Sequence, residues 1–288
     1  MMTNRREFLR LSAMAAAAGC TLRASNAFAG NHDGMAYGVQ LFMVRHEAPK
    51  DLPGVLKRIH QIGFSQVELY PIAYNHSATE LRSIVKDSGL ASDSAHFNYD
   101  DFESKIDYGR QLGLKYMVCP MMPKKLWDTP EGFHEAAANF NKWGKQVRDA
   151  GMQFAFHNHN YEFKQMNGTT GFDVLMKNTD PALVKLEFDL YWLAQAGQDP
   201  SAMMKKHANR LVLIHLKDRV ANSPVNYAPD NEQHIIELGK GSIPWQKLIS
   251  QARAQGVHLT LLDQDETTLP VFESMKVDFD YLNSVKLT

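Results

Sequence analysis

The chain has 288 residues, of which 44% are hydrophobic and 22% charged, and its formal net charge is −1. This composition excludes a disordered chain and supplies one large core, and about 250 residues make a single barrel as readily as two smaller domains. No Lys/Arg cluster is interleaved with aromatic residues, so nucleic acid and other polyanions find no electrostatic footprint.

At the amino terminus Arg5-Arg6 precede Glu7-Phe8-Leu9 and a small-residue apolar run from Leu11 to Gly19. That run is too short to span a bilayer. The stretch from Asn4 to Arg10 reads as a twin-arginine signal, of the kind that exports proteins already folded. Ala27-Phe28-Ala29 supplies a small-x-small cleavage pattern, so residues 1–29 are expected to be a signal peptide, residues 30–288 a single domain, and the destination the periplasm. A lipoprotein site at Cys20 is the competing reading. Removal of the signal leaves Cys119 as the only cysteine, so stability must come from the core rather than from an internal disulfide. No stable membrane insertion is expected after that removal.

From residue 36 onward, short β-branched and aromatic runs alternate with longer amphipathic stretches, the pattern of repeated βα units around a parallel sheet. Eight candidate strands follow in order: 37–43, 66–70, 91–97, 116–119, 153–157, 184–189, 211–216 and 258–263. Between them apolar residues recur at three- and four-residue spacing, as in Leu52, Val55, Leu56 and Ile59, or Ile243, Leu248, Ile249 and Ala252. Gly63, Gly89, Gly113, Gly151 and Gly256 stand where a left-handed helix cap leads into the next strand. Eight such units predict an α/β fold closed as a (β/α)8 TIM barrel. An open doubly wound sheet needs no eighth unit, and no Gly-x-Gly-x-x-Gly turn follows the first strand. The polar segment 220–236 suits a lid above the barrel mouth.

In a barrel of this kind the active site lies at the carboxyl ends of the strands. The two-residue period of a strand decides which polar side chains point inward together: His157 with His159, Glu187 with Asp189, His215 with Lys217, and Asp263 with Asp265. Phe154, Phe156, Leu186, Phe188, Val212 and Ile214 take the opposite phase, under the outer helices. Any one strand-end histidine is as readily a hydrogen-bonded structural group, and Glu187 shares its face with Lys185, which predicts a buried pair. Converging imidazoles and carboxylates suit a divalent ion such as Zn, Mn or Mg.

Four segments carry a resemblance: Phe156-His157-Asn158-His159-Asn160-Tyr161-Glu162-Phe163, Glu187-Phe188-Asp189-Leu190-Tyr191-Trp192, His215-Leu216-Lys217-Asp218, and Gly239-Lys240-Gly241-Ser242-Ile243-Pro244-Trp245. With Gln40-Leu41-Phe42 near the front, they resemble successive signatures of the sugar phosphate isomerase/epimerase family, the xylose isomerase-like barrels. The resemblance implies one divalent ion on ligands at the ends of strands five to eight, positions that fall on His157, Asp189, His215 and Asp263. Histidine replaces a family glutamate at strand five, and aspartate a glutamate at strand eight. Those glutamates double as the acid/base pair of ketose epimerases, so the catalytic groups are expected among Glu162, Lys217 and Glu68. Gln40, His96, His159 and Trp192 are the candidates for contacting substrate.

The reaction implied is proton removal next to a carbonyl of a sugar or keto-sugar, giving an enediolate, and the expected export favours an unphosphorylated carbohydrate despite the family's name. An isomerase or epimerase is the first expectation. A lyase or hydratase on a 3-keto-glycoside is the second, because a single base suffices there. A catalytically silent sugar-binding barrel would keep the polar rim while its ligand set drifted. A metal-dependent abasic-site nuclease would need a basic rim that this near-neutral chain lacks.

Overall fold

The computed structural model describes residues 31–32, 35–229 and 233–286. The signal-peptide expectation, with Arg5, Arg6 and Cys20, falls outside the described residues. Eight parallel strands form the barrel: β1 Met35–Gln40, β2 Gln66–Glu68, β3 Ser94–His96, β4 Tyr116–Cys119, β5 Gln153–His157, β6 Val184–Asp189, β7 Leu211–Leu216 and β8 Leu259–Leu262. Except across β2 and β3, every strand is paired with its sequence neighbour, and β8 returns to β1, so the order is circular but for one seam. The seam is between β2 and β3, held by two isolated bridges, Gln66–Ala91 and Leu69–Ala95.

Four of the expected strands match residue for residue. The others are shorter, because the chain turns as soon as it reaches the mouth. After β1 it enters a 3-10 turn at Leu41–Val44, where the Gln40 side chain accepts from the Phe42 N–H (3.1 Å), so the strand stops at Gln40 rather than running to residue 43.

Nine helices appear among the described residues: α1 Leu52–Ile62, α2 Ala78–Asp87, α3 Ile106–Leu112, α4 Pro130–Asp149, α5 Gly171–Asn178, α6 Leu190–Gln195, α7 Pro200–Lys206, α8 Trp245–Ala254 and α9 Val271–Ser284. Caps set their starts. Asp51 accepts from the Gly54 N–H (3.0 Å) at α1, and Thr129 from the Gly132 N–H (3.2 Å) at α4; each such cap is worth about 1 kcal/mol. The five glycines expected as left-handed stops all have positive φ. Gly63, at φ 126°, has in addition the Phe279 ring where a Cβ would stand. No described helix is long and apolar enough to cross a membrane.

The core has two parts. A large outer cluster lies between sheet and helices; in it Phe140 of α4 packs against Phe154 and Phe156 of β5, with ring centroids 5.3 and 5.0 Å away. A small inner cluster of Val118, Ala155, Leu213, Leu259 and Leu261 fills the barrel itself. Side chains of alternate phase therefore fall on opposite faces, as the period-two pattern requires. Above that apolar plug the inward phase turns polar. The register puts Gln40 beside Glu68, His157 beside Glu187 and Asp189 beside His215.

The last signature segment is a clamp. Asp218 follows β7 and takes four backbone N–H groups, those of Arg219 (2.8 Å), Gly239 (2.9 Å), Gly241 (3.2 Å) and Ile243 (3.1 Å). At Gly241 any Cβ would fall onto the Asp218 carboxylate and lie 2.5 Å from the Arg219 carbonyl oxygen, so this close approach needs glycine. Of the described parts of segment 220–236, Ile235–Ile236 pair with Asp218–Arg219, and Pro229 and Gln233 reach the cleft.

Candidate active site

At the carboxyl ends of the strands lies a cleft of about 560 Å3. Its buried floor includes Gln40, His96, His157 and Asp263, and His159, Trp192, Asp265, Phe42, Arg45 and Tyr70 also line it. All four expected substrate contacts, Gln40, His96, His159 and Trp192, line it.

Under this floor a closed ring of alternating charge is built from four strands. His96 Nε2 lies 2.7 Å from Glu187 Oε2 and 3.1 Å from Glu68 Oε2; His215 Nε2 lies 2.8 Å from Glu68 Oε2 and 3.2 Å from Glu187 Oε2. Gln40 Nε2 donates to the same Glu68 oxygen (2.7 Å). Burial opposes charge on Glu68, His96 and His215, yet their attraction to opposite charge wins. Glu68 is held well below the carboxylate range by His96 and His215, and Glu68 and Glu187 hold His96 up at about 9 and His215 well above its ordinary value. The Lys185–Glu187 pair expected from their common face does not form. Lys185 sits near the barrel bottom, where its ammonium donates to the Asn209 carbonyl (3.0 Å), and Glu187 belongs to the histidine ring instead. Glu187 was missed as a site residue, and its phase, two residues before Asp189, was the available signal.

A second group adjoins the ring through His215. His157, Asp189, His215 and Asp263 each offer a ligand atom, all within 4.8 Å of one another. His157 Nε2 is 3.7 Å from Asp189 Oδ2, and His215 Nδ1 is 3.1 Å from Asp263 Oδ2. Both ring nitrogens of His157, Asp189 Oδ2 and Asp263 Oδ1 are buried without a hydrogen bond. Burial lowers the affinity of His157 for a proton, which favours the neutral ring with one lone-pair nitrogen. Two imidazoles and two carboxylates are the donor set of a borderline divalent ion of the Zn or Mn kind, with His157 and Asp263 Oδ1 unengaged and Asp189 Oδ2 shared with the Lys217 ammonium. His215 would have to give up its proton to join them.

Lys217 lies against the same group, wholly buried. Its Nζ is 3.2 Å from Asp189 Oδ2, 3.2 Å from Asp263 Oδ2, and hydrogen-bonded to Asp265. Burial would strip its charge, but the three carboxylates keep it an ammonium far above neutral pH. It therefore donates protons or offsets negative charge; it does not abstract. Asp265, at the edge of the cleft, is raised by burial to about 6 and is the strand-eight residue that the expected site set omitted.

The remaining expected residues separate by place. Glu162 turns away from the cleft: both its oxygens accept from the His159 N–H at 3.1 Å, and burial raises it to about 8. Glu68 lies beneath the floor in the histidine ring. Asn158 ties strand ends together, accepting from the Asp189 N–H (3.1 Å) and donating to the Asp189 carbonyl (3.3 Å). His159 stands on the cleft wall, with its centroid 5.4 Å from the Trp192 ring and its Nδ1 without a hydrogen bond.

Residues 56–262 match the family model described as xylose isomerase-like TIM barrel. The chain belongs to this family. It is 29% identical over 197 residues to an inosose dehydratase of Clostridium beijerinckii, a match covering 60% of this chain and 65% of that relative. Among solved structures, a sugar phosphate isomerase/epimerase from Parabacteroides distasonis superposes with a TM-score of 0.74 at 23% identity, covering 88% of this chain and all of the other. A probable 3-DHS dehydratase from Bacillus anthracis superposes with a TM-score of 0.68 at 14% identity, over 86% and 99% of the two chains.

Proposed function

We propose that this chain is a lyase of the dehydratase type acting on an uncharged keto-sugar. The observation that carries the reading is the makeup of the cleft floor. Imidazoles at the end of β5 face carboxylates beyond β8. The two glutamates of the barrel strands, Glu68 and Glu187, are held beneath the floor by His96 and His215 and do not line the cleft, where an epimerase would need them to carry a proton between neighbouring carbons. The isomerase or epimerase expected first from the sequence therefore yields to the second expectation, and the similarity to an inosose dehydratase supports the same choice.

In such a reaction a base takes the proton from the carbon next to the ketone, and that C–H pair becomes a C=C bond. The bond from the β-carbon to oxygen breaks, and the oxygen leaves with its electrons and a proton, as water or an alcohol. His159 is placed to accept the first proton from the cleft wall, and Asp265 borders the same space as a proton carrier. Gln40 and His96 line the floor, where their donors can hold hydroxyls, while Trp192 gives an apolar face to the sugar ring. Lys217 keeps Asp189 and Asp263 ionised and lends positive charge to the site where an enolate oxygen develops. A divalent ion on His157, Asp189, His215 and Asp263 would polarise the ketone when bound.

The test is to incubate the protein, with and without added Mn or Zn, with an inosose and with keto-glucosides, following enone absorbance and product mass. Loss of water or alcohol is the expected result. Interconversion of isomers without elimination would return the first expectation to the front, and no reaction at all would leave the sugar-binding reading. The reading includes export through residues 1–29, which amino-terminal sequencing of the mature protein would support if it begins at Gly30.

A further inference from the structure

The cleft is longer than its reactive floor. Its outer end is walled by Tyr99, Asp100 and Asp101 beyond β3 and by Pro120, Met121 and Pro123 beyond β4. A side hollow of about 280 Å3, lined also by Lys105, lies against the same Asn98 and Asp101. Sites that bury a whole drug-sized ligand span about 300–1,000 Å3. A single keto-sugar ring held at the histidine floor would leave this outer end empty.

The chemistry of the outer end is that of a sugar subsite. Asp100 and Asp101 are exposed, and their carboxylates are acceptors for hydroxyl groups. Met121 and the two prolines give an apolar wall that a ring face can cover, and methionine adapts its shape to what it meets. The charge of the outer wall opposes anions. Five carboxylates line the cleft, those of Asp100, Asp101, Asp263, Asp265 and Glu266, and the one Lys or Arg lining it among the described residues is Arg45. Arg45 is already engaged, 3.3 Å from Glu266 and 4.3 Å above the Phe42 ring. At the outer wall a phosphate or carboxylate would meet Asp100 and Asp101 with no unpaired Lys or Arg of the cleft beside them, the His96 imidazolium lying at the floor between Glu68 and Glu187.

We infer that the outer end is a second subsite, which holds an uncharged, hydroxyl-bearing ring joined to the keto-sugar, so that the preferred substrate is a keto-disaccharide rather than a phosphorylated monosaccharide. The inference rests on the keto-sugar reading but is tested separately from its chemistry. Binding and turnover would be measured for 3-ketocellobiose, 3-ketoglucose and 3-ketoglucose 6-phosphate, on wild type, on Met121→Trp and on the double variant Asp100→Lys/Asp101→Lys.

The disaccharide is expected to bind at least ~10-fold more tightly than the monosaccharide, and the phosphate more weakly than either. Met121→Trp should abolish the gain from the second ring while leaving 3-ketoglucose affinity unchanged. The double variant, altered only at exposed side chains, should weaken disaccharide binding and improve binding of the phosphate. Equal affinity for one and two rings, or tightest binding of the phosphate, overturns the subsite, as does failure of all three ketones to bind. Turnover of the monosaccharide without advantage from the second ring would leave the lyase reading in place and remove the subsite. Tighter binding of the disaccharide with no turnover of any ketone would do the reverse.

Discussion

The imidazoles of His96 and His215 lie nearly parallel, 12° apart with centroids separated by 5.4 Å, and their Nε2 atoms are joined on either side by one oxygen of Glu68 and one of Glu187. Two like-charged rings can stack this closely because the carboxylates alternate with them. The arrangement is a compact quadrupole that fixes the orientation of His215 from below, while its other nitrogen faces Asp263. Removing Glu187 leaves the two rings sharing Glu68 alone between them, with Asp263 reaching only the far nitrogen of His215. Glu187→Gln is expected to destabilise the fold by about 3–5 kcal/mol, the range for breaking a buried ion pair. Chemical denaturation at pH 6 measures it, and a loss under ~1 kcal/mol would show that the ring is not ionised.

The same ring gives a pH signature. His96 is held at about 9 in the folded state, above its ordinary value of 6.5. Its contribution to stability is therefore complete below pH 6.5 and fades as pH rises through 9, because the folded chain then binds more protons than the unfolded one. NMR titration of the His96 ring should show an imidazolium at pH 7.5, and Glu187→Gln should move its midpoint downward. A His96 that titrates at or below its ordinary value would contradict the charge alternation.

Asp278, far from the cleft on α9, has the opposite chemistry with the same sign. Its Oδ1 accepts from the Leu238 N–H (2.6 Å), its Oδ2 has no hydrogen-bond partner, and burial raises it to about 8. Folding keeps it protonated while the unfolded chain ionises it near pH 4, so it costs stability increasingly as pH climbs from 4 to 8. Asp278→Asn keeps the acceptor and removes the charge. It should stabilise the protein more at pH 8 than at pH 5, by denaturant midpoints at the two values; an equal effect at both would show that Asp278 is ionised when folded.

Metal binding tests the group formed by His157, Asp189, His215 and Asp263. Protein purified without added metal and then equilibrated with Zn or Mn should hold about one ion per chain. Asp189→Asn should lower the affinity by more than the ~10–100-fold typical of losing an outer-shell partner. Elemental analysis reads both, and wild-type protein that takes up no ion would remove metal chemistry from the proposed reaction.

Gly241→Ala should cost about 1–3 kcal/mol, the usual range for overpacking, because the added methyl meets the Asp218 carboxylate and the Arg219 carbonyl. Thermal unfolding would register the loss. An unchanged midpoint would mean that the loop 237–243 yields, and that Asp218 is a weaker clamp than its four N–H contacts indicate.

Much of this molecule could be read directly from the chain. Eight strand-and-helix units, the glycine stops and the inward phase of His157, His159, Asp189, His215, Lys217 and Asp263 follow from local rules. Period-two alternation, helical spacing and backbone conformation act over a few residues and leave their mark in order along the sequence. The family resemblance added the reason to expect strand ends five to eight to meet.

The tertiary structure decided what each of those polar residues has as a partner. Glu187 left Lys185 for two histidines that are 91 and 28 residues away. Glu162, adjacent in sequence to the strand-five motif, folded back onto the His159 amide, and Lys217 became a captive ammonium among Asp189, Asp263 and Asp265. Charge state depends on which groups stand within a few ångströms in a medium of low polarity. In a closed barrel those neighbours come from strands spread over the whole chain, so the sequence can nominate the groups that converge, but only their packing assigns the proton to each.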